Sequence, residues 1–299
     1  MDTDTSRHPS YIVYSDESHF NVGRYRGLAA ISLPYEQAPV ISGRLRAIVT
    51  GAGIGELKWD KVRNARYQFP SERALTCGIE LAAQGALRID VLTWDTHDSR
   101  HSIVGRDDIA NLERMYYHLF RDVLSKRWPS GTWWLFPDEQ TAVQWDSLAE
   151  FVDGAGLTAE LEPPLFGQGS FRLTLSQQFS VEMVKPIRSC DEPIVQLADL
   201  CVGLAIYSRE NYQRFVAWRQ ATGLQPSLLP IDDPVALSSA DGPRCTLLDK
   251  VNAECKSRRL SVSLDKHHGL RTLNPVKPVN FWWYEPQSDK DKAPTRDGK

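Results

Sequence analysis

Hydrophobic positions along the chain fall into two periods. Residues 11–14 (YIVY) are all apolar, β-favouring side chains, and they run straight into Asp16 and Glu17, which reads as a buried strand ending in a charged cluster. NVGRYRG supplies turn residues, and GLAAISL at 27–33 reads as a second strand, so the two predict an antiparallel hairpin. Residues 37–49 place Val40, Ile41, Leu45 and Ile48 at helical spacing until GAGIG breaks them. A helix is predicted from Ser71 to about Gln84, a third strand over 88–94 (RIDVLTW) with Asp95 at its tip, and a long helix over 107–128. TWWLFP at 132–137 reads as a fourth strand that delivers Asp138 and Glu139, followed by a helix over 142–152. Extended stretches fall within 173–187, and PIVQLADLCVGLAIY at 193–207 reads as an apolar helix interrupted by Asp199 alone, with Pro193 suited to its first turn. A Pro- and Ser-richer stretch follows to about 243, then a short helical pattern over 247–256 and a last segment VNFWWY at 279–284.

This alternation predicts a mixed α/β architecture with helices able to cover both faces of one sheet. In such a layout strand ends gather at one edge. Asp16 and Asp138 become neighbours there if the first and fourth strands pair in parallel, and a helix packed on the sheet can bring Asp199 to them. Burying a carboxylate costs several kcal/mol unless positive charge stands beside it. Converging carboxylates are the hard oxygen donors that Mg²⁺ or Mn²⁺ prefers, and two such ions about 3.5–4 Å apart can activate water and stabilise a leaving oxygen in phosphodiester cleavage.

Composition narrows the classes. The 299 residues are 41% hydrophobic and 24% charged, which fits a soluble globular chain. No apolar run reaches the roughly 20 residues of a spanning helix and the polar start lacks a signal-peptide core, so a cytoplasmic protein is expected. Five cysteines with no CxxC pair argue against a disulfide framework and a structural zinc site. A net charge of −3 does not announce a nucleic-acid binder, although a basic face can coexist with an acidic site.

Tyr14-Ser15-Asp16-Glu17-Ser18, then Glu56-Leu57-Lys58-Trp59, then Asp138-Glu139, then Gln196-Leu197-Ala198-Asp199-Leu200 with Gly203, in this order, resemble the domain of unknown function 3800 family, placed in the ribonuclease H-like superfamily. The resemblance covers about residues 11–209 and departs from the family at His19, where members more often have glycine. It implies a ribonuclease H-like sheet with an acidic metal site and nuclease activity. Carried over by residue, it nominates Asp16, Glu56, Asp138 and Asp199, with Glu17 as a fifth metal ligand although adjacent strand side chains face opposite ways.

The expected organisation is a ribonuclease H-like domain at 11–209, a C-terminal extension at 210–286 packed on it, and flexible ends at 1–10 and 287–299. The expected function is Mg²⁺- or Mn²⁺-dependent hydrolysis of a nucleic-acid substrate, with Lys58 steadying the scissile phosphate. A non-catalytic nucleic-acid or protein-binding module on the same fold is the alternative. Each acid also has a plainer role. Asp16, Glu17 and Asp138 suit strand-ending turns, Glu56 could pair with Lys58, and Asp199 could accept a hydrogen bond at a helix N-terminus. Asp95, His97, Asp98 and His101 read as a polar loop, and His267 and His268 receive no role. Lys185 and Arg188 could meet phosphates, and NFWWY could stack bases, though core packing is the commoner use of such rings.

Overall fold

A computed structural model describes residues 8–19, 21–98, 107–139, 142–162, 172–224 and 236–285. The sheet is built from β1 (Tyr11–Ser18), β2 (Tyr25–Pro34), β3 (Arg88–Asp95), β4 (Gly131–Pro137), β7 (Phe179–Val184) and β10 (Val279–Trp283). Its order is β10-β3-β2-β1-β4-β7. β2 runs antiparallel to β1 and to β3, whereas β4 is parallel to β1, β7 to β4, and β10 to β3. β5 (Leu157–Glu162) with β6 (Arg172–Gln177), and β8 (Val262–Asp265) with β9 (Gly269–Thr272), form separate antiparallel pairs.

Strand alternation divides the apolar side chains between two cores. Ile12, Tyr14, Ala29, Ile31, Ile89 and Val91 point to one face, under α1 (Ala38–Gly51), α2 (Ala65–Ala83), α5 (Pro193–Glu210) and α7 (Asp241–Ser257). Val13, Leu28, Ala30, Leu92 and Trp94 point to the other, under α3 (Asp108–Lys126) and α4 (Trp145–Gly154). Helices on both faces make the central strands two-sided, which is why Ile12 to Asp16 are buried without a break. The innermost helix is α5, which lies on β1, β2 and β3 while α1, α2 and α7 pack on its sides. A helix enclosed in this way must be apolar nearly all round, as PIVQLADLCVGLAIY is.

Several features differ from the sequence expectations. α2 begins at Ala65 instead of Ser71 and carries Pro70 in its interior. Proline forfeits one backbone hydrogen bond there, and burial of Pro70 with Ala74, Leu75 and Gly78 along the same helix offsets that loss. α6 (Tyr212–Ala221) lies where no element was expected, because it buries Phe215 alone and so lacks an apolar stripe. Residues 8–10, counted with a flexible end, are held in place. The Ser10 amide donates to Thr132 Oγ1 (3.0 Å), its carbonyl accepts from Tyr35 N (3.1 Å), and the His8 ring stacks on Tyr35 at 4.5 Å. The remaining expected flexible ends, 1–7 and 287–299, lie outside the described residues. Among the described residues no helix is long and apolar enough to cross a membrane.

The C-terminal region is part of the main sheet through β10. A buried polar cluster fastens it: Asn280 Nδ2 donates to Asp90 Oδ1 (3.1 Å), with Arg88 Nε 3.6 Å and Arg127 Nε 3.8 Å from the same carboxylate. Asp90 is fully buried, so removing it strands two guanidinium groups in the interior. Asp90→Ala is expected to lower unfolding stability by about 3 kcal/mol or more in urea denaturation, and a loss below ~1 kcal/mol would show that the cluster does not fasten β10.

Candidate active site

The parallel pairing of β1 with β4 ends at Ser15 opposite Pro137, and the Asp138 amide then donates to the Ser15 carbonyl at 2.8 Å. Asp16 and Asp138 therefore follow side by side on neighbouring strands at one sheet edge. Asp16 shares its face with Ile12 and Tyr14, which is the face that α5 covers, and Asp199 stands in the second turn of α5. The fourth charged group comes from the loop between α1 and α2. Lys58 Nζ lies 3.8 Å from Asp16 Oδ2 and 3.5 Å from Asp138 Oδ2.

The α1–α2 loop is held by one stripe of α5. Gln196, Asp199 and Gly203 recur at helical spacing and so face the same way. Gln196 Oε1 accepts from Leu57 N (2.8 Å), Asp199 Oδ2 accepts from Trp59 N (2.6 Å), and the Trp59 ring lies flush on Gly203. Lys58 is thus clamped between two tethered neighbours. Gln196 Nε2 also donates to the Ser189 carbonyl (2.7 Å), whose own amide donates to Asp138 Oδ1 (3.0 Å). Gln196 is the positioning residue that joins both sides of the site. Its place in QLAD, three positions before Asp199, was the signal for it.

Burial raises the Asp16 carboxyl well above the ordinary range. The negative charge of Asp199 adds to that, and Lys58 works against it. Its Oδ1 accepts from the Glu17 amide (2.8 Å), while its buried Oδ2 has no hydrogen-bond partner. Burial also pushes Asp199 up to about 6, opposed by Lys58 and by the Trp59 amide. For Lys58, burial disfavours the charge, but Asp16, Asp199, Asp138 and Glu56 outweigh it and raise its pKa, so the ammonium stays protonated.

The other nominated acids stand apart from this group. Glu56 pairs with Lys61 at 2.8 Å, although its charge is felt at Lys58. Glu17 turns to the opposite face, where its Oε2 accepts from the Tyr116 hydroxyl of α3 at 2.6 Å. Asp95 is gripped by Arg24 through both carboxylate oxygens (2.9 and 2.8 Å), and Asp265 caps the amides of His267 and His268. His19, where the resembled family more often has glycine, adopts φ 60°, a left-handed conformation that glycine accepts with less strain.

In donor type the group fits a divalent cation: hard carboxylate oxygens, one of them buried and without a hydrogen-bond donor. Among the described residues, however, no three acidic, histidine or cysteine side chains stand close enough together to hold an ion as they lie. The positive charge between Asp16 and Asp138 is that of Lys58.

The burial of Asp199 has a measurable pH signature. From an ordinary value of 3.8 to about 6, folded Asp199 keeps a proton that the unfolded chain has released. Stability in metal-free buffer therefore falls as pH rises through that window. Asp199→Asn, which can still accept from Trp59 N, is expected to flatten the decline in denaturation curves, and an unchanged slope would contradict the shift. Gly203→Ala would drive a methyl group into the Trp59 ring. The expected result is a loss of about 1–3 kcal/mol with Lys58 displaced, whereas unchanged stability would show that Trp59 is not pinned there.

No protein-family model matches the chain. It is 40% identical over 291 residues to the uncharacterized protein ORF2' of Methanothermobacter thermautotrophicus, covering 95% of this chain and 97% of that protein. The uncharacterized protein ORF2 of the same organism is 39% identical over the same length and shares. Identity at this level along nearly the whole of both proteins means that the chain belongs to the family of ORF2' and ORF2.

Proposed function

We propose that the protein is a metal-dependent nuclease that hydrolyses phosphodiester bonds of nucleic acid on a ribonuclease H-like sheet. The observation that carries this reading is the meeting of Asp16, Asp138 and Asp199, from three distant stretches of chain, around Lys58, with Asp16 Oδ2 buried and lacking a hydrogen-bond donor. Support for the fold comes from three antiparallel strands continued by parallel ones, with acids at the C-terminal ends of β1 and β4.

Asp16, Asp138 and Asp199 would have to draw closer together than they stand to hold Mg²⁺ or Mn²⁺, with Glu56 at the margin of the set. Glu17 is left out because it serves Tyr116. The ion's contribution would be Lewis acidity toward a phosphoryl oxygen and a lowered pKa for water. Lys58 offers an ammonium to a phosphate oxygen, and Gln196 keeps the loop carrying Lys58 in register with Asp138. Burial first, and neighbouring carboxylates after it, raise Asp16 and Asp199, so a cation would compete with a proton there and bind more tightly as pH rises.

One observation favours the non-catalytic alternative, a binding module. Asp199 already accepts the Trp59 amide at the start of a short 3-10 turn, and Lys58 already neutralises part of the acidic charge, so the group could be wholly structural.

Purified protein incubated with RNA, DNA and hybrid substrates in Mg²⁺ or Mn²⁺ separates the two. The expected outcome is cleavage that falls at least ~100-fold in Asp16→Asn and Asp199→Asn, together with a calorimetric Mn²⁺ site lost in Asp16→Asn. No cleavage of any substrate, or variants that cut as well as wild type, would remove the nuclease reading.

A further inference from the structure

An acidic centre repels the polyanion it is meant to cut, so a docked strand must be held by surface close to it. The edge that carries Asp16 and Asp138 also receives the start of β2 and the ends of β3 and β10, since Tyr25 pairs with Asp95 and Thr93 with Trp283. Three strand spacings, about 14 Å, separate β1 from β10. Ten residues along α5 from Asp199, a rise of about 15 Å, bring Arg209 to the same end.

Arg209 lies over two rings there, its guanidinium carbon 5.1 Å from the centre of Tyr25 and 5.2 Å from that of Trp283. Arg24 lies over Tyr25 at 5.0 Å and is already neutralised by Asp95. Arg209 differs from it. Its Nε is buried without a hydrogen-bond partner, its one hydrogen bond is a long contact of 3.5 Å to the Lys266 carbonyl, and it pairs with no carboxylate among the described residues. A guanidinium laid on aromatic rings can still turn its N–H edge to a phosphate oxygen.

Beside Trp283 a cavity of about 380 Å³ opens between α3 and the β9–β10 segment. Trp282, Trp283 and Tyr284 form part of its wall, with Arg271 at its β9 side. Arg271 is exposed and has no ion pair among the described residues; of the two acids on the wall, Asp122 is already shared by Arg121 and Lys126, and Glu285 is exposed. Deeper in, Asn280 is fully buried, and with Nδ2 committed to Asp90 its Oδ1 has no partner. A buried acceptor of that kind is satisfied by an N–H donor entering the cavity, and every nucleobase that carries a ring or exocyclic N–H can supply one.

We infer that the end of β10 is a binding site for single-stranded nucleic acid: the cavity takes a base, and Arg209 and Arg271 take flanking phosphates. Only an unstacked base can reach aromatic walls and an acceptor at that depth, so a duplex is disfavoured. The purpose of the site rests on the nuclease reading, but its test does not.

Binding is measured in EDTA by fluorescence anisotropy with a labelled 12-nucleotide oligo-dA, its blunt duplex, and AMP as competitor. The single strand is expected to bind tighter than the duplex and than AMP. Trp283→Ala and Arg209→Ala are each expected to weaken it ~10-fold or more, and the exposed Arg271→Ala, which leaves the core untouched, is expected to weaken it and reduce the salt dependence. Equal binding by wild type and Arg271→Ala, equal binding of strand and duplex, or AMP binding as tightly as the strand would overturn the inference. Metal-free strand binding by a protein that cuts nothing in Mg²⁺ or Mn²⁺ would sink the nuclease reading and leave this one standing, while cleavage without strand-over-duplex preference would do the reverse.

Discussion

Carboxylates placed near one another in a region with little water repel strongly, and burial withholds the solvent that would screen them. The edge formed by β1 and β4 imposes that arrangement on Asp16 and Asp138, and α5 adds Asp199. Lys58 is the counterweight. It bridges the two strand ends, and it keeps its proton because the acids around it overcome the penalty of its own burial. The rest of the structure can be read as what is needed to hold a lysine of a connecting loop in that position.

The holding is done by α5, which packs on the sheet between α1, α2 and α7 and turns Gln196, Asp199 and Gly203 toward the loop. Two backbone amides on alternate residues are captured, and the missing side chain at Gly203 admits the Trp59 ring. Arg244 of α7 lies over that ring at 5.2 Å, so the C-terminal region also takes part in fixing the loop. Asp199 therefore combines two duties that would ordinarily compete, an acid of the site and a cap for the turn that carries Lys58.

The polar and aromatic groups of the edge are sorted by strand. Asp16 stands near the end of β1 and Asp138 just past β4, while Tyr25, Arg209 and Trp283 gather with the Arg24–Asp95 ion pair at the ends of β2, β3, α5 and β10. A chain with a net charge of −3 can thus present a cationic, aromatic margin next to an acidic centre. The strand that completes this margin arrives last in the sequence, fastened to β3 through Asp90 and Asn280.

Much of the layout was legible in the chain itself. The YIVY run, the periodic 107–128 segment and the apolar helix with one acid each follow from side-chain period and burial, and those local rules also bring out Asp16, Asp138 and Asp199 as acids in need of an explanation. Glu17 shows the same rule applied one residue on, where the strand's alternation sends the carboxylate to Tyr116. What tertiary structure alone decided is partnership across long separations. The capture of Leu57 and Trp59 by α5, the insertion of β10 beside β3 and the cavity at its end depend on which surfaces meet. Spacing along one chain carries no record of that, because contacts between residues more than a hundred positions apart are set by the packing of whole elements.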